Sequence, residues 1–241
     1  MLPLPQLERV YYRYLSLSRV ADQHFAGSLG GKLLLRSAFD ADGIAALAAA
    51  SIAGAASLCV DTDADRLRNG LRSGLCDFVV GHLDEALRIL KNELRRSLSV
   101  SVGLTSDPEH SIAAMIDRGL QPDLVSGLTD DPARTFLVRG AISLPDGYEP
   151  DPETSLIEWT AAADPAQSMP RIARIVSGSL DHARADTPAR KRWLDRSPRY
   201  LDRAFGHRQC LRLTPAECAA LLPLVHAEIR AAAITRDGQK L

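Results

Sequence analysis

GKLLLRSAFDADGIAALAAASIAGAASLCVDTD, residues Gly31 to Asp63, decides the fold. A Gly30-Gly31 break precedes a short apolar run, Lys32–Leu35, which reads as a strand bounded by turn signals. The small-residue segment Asp42–Ala55 then has the length and composition of a helix that can lie close against a sheet, and Ala56–Thr62 is a second apolar strand. The alternation continues to Pro122. Asp63–Ser73 reads as a helix, Cys76–Val80 as a strand and Leu83–Arg96 as a strongly periodic helix with a basic last turn, as the helix dipole favours. Ser99–Leu104 is a fourth strand, Pro108–Arg118 a helix and Asp123–Ser126 a fifth strand. Strands separated by helices of this length require crossover connections, so the chain is an α/β protein with a Rossmann-like parallel sheet and helices on both faces.

The flanks read differently. Leu7–His24 places Val10, Tyr14, Leu17 and Ala21 at helical spacing, which predicts a lead-in helix. After the proline-rich Pro145–Pro152, the pattern predicts helices over Ser155–Ala163, Pro170–Asp181, Ala189–Phe205 and Pro215–Ala233. The last starts with a capping box: Thr214 at the N-cap, Pro215 at N1 and Glu217 at N3. The expected organisation is therefore a domain over 1–150 with its lead-in helix, and a helical extension over 151–241.

Composition excludes several classes. A net charge of -1 with 46% hydrophobic residues is that of an ordinary globular protein, and favours neither a nucleic acid nor a membrane as main partner. The N-terminus lacks a basic region followed by an apolar core, and no uncharged apolar run nears the ~18 residues of a membrane span. A cytoplasmic location is the expectation. Cys59, Cys76, Cys210 and Cys218 contain no CxxC pair and read as buried free thiols. The six histidines show neither i, i+4 pairing nor ligand spacing, so no metal site is predicted. The run from Ala189 to Arg208, with seven Arg or Lys interleaved with Trp193 and Tyr200, is read as a solvated helix face or subunit contact, because Asp195 and Asp202 interrupt it.

The candidate ligand site is the turn after the first strand. A dinucleotide site needs backbone N–H groups and a helix N-terminus there, with an acid closing the second strand to bond the ribose. Asp61 holds that second position, although a plain strand-end turn residue is an equal alternative. The turn Ser37–Ala45 retains only Gly43, and Asp40 and Asp42 stand where a diphosphate would sit. Two like charges at 4 Å repel by about 4 kcal/mol at an effective dielectric near 20, against a helix-dipole gain of ~0.3–1 kcal/mol. Either aspartate can instead cap the helix.

From Gly31 onward the chain resembles the NAD-binding domain of urocanase (urocanate hydratase). The resemblance continues through DADRLRNGLRSGLCD, HLDEALRIL, SVSVGL and RGLQPDLVSGLT and covers about half of the chain. It implies that the family's phosphate-binding glycine run falls on Ser37–Leu47, its NAD-contacting acid on Asp61 and its arginine on Arg66. The cofactor-binding positions implied are Ala41, Asp42, Gly43, Asp61, Arg66 and Asp107. The departures matter as much. All glycines of the run but Gly43 are gone, Asp107-Pro108 replaces Asn-Ala, and the family's Q-T-S-A-H-D-P block is reduced to Leu128–Pro132. Family members are about twice this length, and neither their substrate-binding core nor their active-site cysteine is recognisable here, so no catalytic residue is assigned. The resemblance leaves two readings. One is a degenerate, non-hydratase relative that has lost NAD and serves as a small-molecule binding or interaction module, as a homodimer or with a partner chain. The other is an NAD-dependent hydro-lyase of urocanase type, acting in histidine degradation, or one completed by a partner chain.

Overall fold

The computed structural model describes residues 4–128, 130–144, 151–161, 164–228, 232–236 and 239–240. The chain divides into two compact units: Tyr12–Tyr148, and Met1–Tyr11 together with Glu149–Leu241. Helix α1 (Leu4–His24) contributes residues to both.

The unit of residues 12–148 is built on six parallel strands in the order β3-β4-β2-β1-β5-β6. The expected five strands are present as β1 (Leu33–Ser37), β2 (Ala56–Asp61), β3 (Phe78–Val80), β4 (Ser101–Thr105) and β5 (Leu124–Ser126), and β6 (Ile142–Ser143) is added at one edge. Between them run α2 (Ala41–Ala53), α3 (Ala64–Arg72), α4 (Leu83–Arg95), α5 (Pro108–Asp117) and α6 (Asp130–Val138). The apolar strand runs form the core: Leu35, Leu58, Val60, Val102, Leu104 and Val125 pack with Leu90, Ile112, Met115 and Phe136. Helix α2 buries nine of its residues, Gly43 and Ala45–Ile52, seven of them Gly, Ala or Ser, which lets it pack close to a sheet. It stops at Gly54, whose φ of 95° gives the left-handed cap glycine tolerates. Asp123 fixes the start of β1, accepting a hydrogen bond from the Leu33 N–H at 2.9 Å and an ion pair from Lys32 at 3.0 Å.

The second unit is mixed rather than helical. Helices α7 (Pro165–Gly178), α8 (Thr187–Phe205) and α9 (Pro215–Glu228) match three expected segments, with shifted ends. The segment expected to be a helix over Ser155–Ala163 is instead the strand β7 (Ser155–Ala161). It joins β8 (Arg208–Leu213), β9 (Ala232–Arg236) and β10 (Gln239–Lys240) in an antiparallel sheet of order β10-β9-β7-β8. The last helix ends by Glu228, and Ala232–Ala233, placed in that helix by the sequence pattern, open β9. The physical reason lies in Leu156, Ile157, Trp159 and Thr160, which have β-type side chains, and in the pairing of Glu158 with Cys210 and Trp159 with Gln209. The trailing alanines mimicked a helix.

The expected capping box at Thr214 is formed. The Glu217 N–H donates to Thr214 Oγ1 at 3.2 Å, and Glu217 Oε2 accepts from the Thr214 N–H at 2.9 Å. The same carboxylate also takes a bidentate pair from Arg190 (2.9 and 2.8 Å) and a hydrogen bond from the Asp181 N–H at 2.9 Å. Arg190 is 1% exposed, so this member of the basic run is a buried tie and not part of a solvated face. Burial raises the Glu217 pKa, but the Arg190 guanidinium and the two backbone donors outweigh it, so the net shift is downward from the usual 4.5. A depressed carboxylate contributes stability that is present above pH 4.5 and lost as the pH falls through its folded value. Arg190→Ala, which leaves Glu217 buried and unpaired, is expected to destabilise this unit by about 3–5 kcal/mol in urea titrations. Fluorescence reads this unit alone, because Trp159 and Trp193, the two tryptophans of the chain, both lie in it. In the same assay Glu217→Gln is expected to flatten the loss of stability between pH 5 and pH 3.

Candidate functional site

Strand β1 is flanked by β2 on one side and β5 on the other, so the connections that leave them diverge at the carboxyl end of β1. A crevice outside such a switch point is where open α/β sheets bind ligands. In this chain the crevice is crossed by its own side chains. Arg36, near the end of β1, is buried; its Nη1 donates to Ser126 Oγ at 2.9 Å and its Nη2 to Asp40 Oδ1 at 3.1 Å. The Ser37 hydroxyl donates to the Gly127 carbonyl. Gly127 has φ +59°, and a Cβ there would lie 2.7 Å from Arg36 Nη1, so the guanidinium packs directly on the backbone after β5.

Asp40 is the N-cap of α2, its carboxylate accepting from the Gly43 N–H at 2.7 Å. Burial works to raise its pKa, and the Gly43 N–H and the Arg36 guanidinium together bring it below the usual value. The anion at this helix N-terminus is thus part of the protein. Ala41 and Asp42 form the first turn of α2. Gly43 has a packing role: a Cβ would lie 2.2 Å from the Ala38 carbonyl oxygen and 3.1 Å from Arg36 Nε. Ala38 itself is left-handed, with φ +66°.

Asp61, at the end of β2, is 5% exposed and bonded on both oxygens. Oδ2 accepts from the Phe39 N–H at 2.6 Å and from Arg66 Nη1 at 3.1 Å, and Oδ1 accepts from the Asp63 N–H at 2.8 Å. Arg66 also pairs with Asp63 at 3.3 Å, and Asp63 caps α3. The Phe39 ring, 1% exposed, packs so closely on α3 that a Cβ at Gly70 would meet it at 2.4 Å. Asp107 stands apart from β1, at the N-cap of α5 after β4, where it accepts from the His110 N–H at 2.8 Å. Of the six predicted positions, five therefore surround the turn after β1, and Asp107 follows the strand on the far side of β2. Thr129 of the reduced block lies outside the described residues, and Asp130 begins α6. Sequence reasoning missed Arg36, whose signal was a cation ending an apolar strand with an aspartate four residues on.

The thiols are chemically quiet. All four cysteines are free and buried. Burial raises the Cys59 and Cys210 thiols far above their ordinary range and brings Cys76 to about 12, so no thiolate nucleophile forms at these three near neutral pH. Among the described residues, no three His, Cys, Asp or Glu side chains converge to hold a metal ion, and no helix is long and apolar enough to cross a membrane.

Residues 12–134, more than half of the chain, match the family model described as the urocanase Rossmann-like domain. Asp61→Ala would orphan the Phe39 and Asp63 N–H groups. It is expected to destabilise the unit of residues 12–148 by about 1–3 kcal/mol per stranded donor, read by hydrogen exchange at Phe39 and by denaturant melting. Gly43→Ala is expected to cost about 1–3 kcal/mol in the same melts through its collision with Ala38.

Proposed function

The chain belongs to the urocanase family through its Rossmann-like domain, and from that premise we propose that it is a non-hydratase member that acts as a small-molecule binding or interaction module. The observation that carries this reading is the Asp61 carboxylate. Its oxygens bond Phe39, Asp63 and Arg66, leaving the ribose hydroxyls of a dinucleotide no carboxylate to meet unless the turn after β1 opens. Asp40 supports the same conclusion at the phosphate position, because a diphosphate at the start of α2 would have to displace a carboxylate already bonded to Gly43 and Arg36. These residues do not fit NAD held in the family's manner. Cys59, Cys76 and Cys210 fit no catalytic part either, since they are buried and protonated.

A second reading has its own observation. Asp61, Arg66 and Gly43 persist at the family's positions, which favours an NAD-dependent hydro-lyase of urocanase type, or one completed by a partner chain. The two are separated by titrating the purified protein with NAD calorimetrically, by mass spectrometry of any co-purified nucleotide, and by following urocanate absorbance on incubation. The first reading expects no stoichiometric NAD and no loss of urocanate, and either signal would sink it. Asp42→Gly alone is expected to leave NAD binding absent, because Asp40, Arg36 and Asp61 still fill the turn; micromolar binding by that single variant would place the obstacle elsewhere.

A further inference from the structure

While the crevice of the Rossmann-like unit is crossed by its own side chains, the unit of residues 149–241 holds an open cleft of about 530 Å³ between α7 and α8. That volume is in the range of small-ligand sites, which pair an apolar wall with a few placed polar groups. Met169 of α7 and Leu194 of α8, both nearly fully buried elsewhere on their surfaces, form the wall with Pro198.

Asp202 and His207 lie in the same cleft. Asp202 Oδ2 pairs with His207 Nδ1 at 3.3 Å, whereas Oδ1 is buried and has no hydrogen-bond partner among the described residues. A buried carboxylate oxygen without a donor is costly, and because Oδ1 is closed to solvent, the edge of this 35% exposed side chain left to a ligand is Oδ2, beside His207. His207 is held at φ +59° directly after Gly206 at φ +66°, a conformation that costs a non-glycine residue on the order of 1–3 kcal/mol and that collects at ligand sites. Burial raises the Asp202 pKa more strongly than His207 lowers it, which is the signature of a carboxylate short of cationic or N–H partners. Lys191, three turns earlier on α8 and therefore about 16 Å away by helical rise, lines the cleft at its other end. There its Nζ lies 3.3 Å from His182 Nδ1. Arg174, exposed on α7, lines the same cleft, and Asp195 is the acid that offsets part of this positive charge.

We propose that this cleft binds a small zwitterion, an apolar body that carries an ammonium group for Asp202 and a carboxylate for Arg174. The inference goes beyond the reading of the Rossmann-like unit and does not depend on it. The probes are 6-aminohexanoate and 8-aminooctanoate, with hexanoate and hexylammonium as single-charge controls, measured by calorimetry and by the His207 ring resonances of the full chain. A zwitterion is expected to bind saturably and to shift the His207 signals, with each control at least about tenfold weaker. Asp202→Asn and Arg174→Ala are each expected to weaken the zwitterion about tenfold. Arg174 is exposed, so its variant keeps the fold and remains informative if Asp202→Asn does not. No saturable binding of either zwitterion, binding of a control as tight as the zwitterion, or full affinity in Arg174→Ala would each overturn the proposal.

Discussion

The Rossmann-like unit turns on one carboxylate. Asp61 ends β2, yet its oxygens reach the backbone of the turn that leaves β1 and the helix that follows β2. Phe39 can be buried against Gly70 only because its N–H, drawn into the interior with it, finds that acceptor. With Phe39 anchored, Ala38 takes its left-handed conformation and Asp40 reaches the start of α2. Arg36 then closes the gap to β5. Each contact is short-range, and together they make Asp61 an internal strut.

This changes how the missing glycines are understood. In a phosphate-binding turn, glycines let the backbone approach a ligand. Here the single one that remains, Gly43, lets the backbone approach itself, at the Ala38 carbonyl. The turn is tied down by its own groups: Asp40 bonds Arg36, and the Ser37 hydroxyl donates to the Gly127 carbonyl.

Much of the parallel sheet was legible because apolar strand runs and periodic helices repeat at regular spacing from Lys32 to Ser126, and hydrophobic patterning reports burial directly. The capping box at Thr214 was legible for a similar reason, since its partners are three residues apart. The failures share a cause in the opposite sense. β7 is a strand because Cys210 and Gln209 pair with it from some fifty residues away, and no local pattern in SLIEWTAAA carries that information. Arg190 looked solvated by composition, and its burial depends on Glu217, on another helix. At the candidate site, Asp61 was correctly singled out, but whether it faces a ligand or the Phe39 N–H is decided by a residue twenty-two positions earlier.

The buried cysteines have a consequence for handling the molecule. Cys59 and Cys76 lie in one compact unit, Cys210 and Cys218 in the other, and Cys59, Cys76 and Cys210 are at most 2% exposed while their units stay closed. The chain therefore carries a pair of silent clocks, one in each half. Alkylation, mapped by which cysteine is modified first, times the opening of each half separately, without an added label and without disturbing either core.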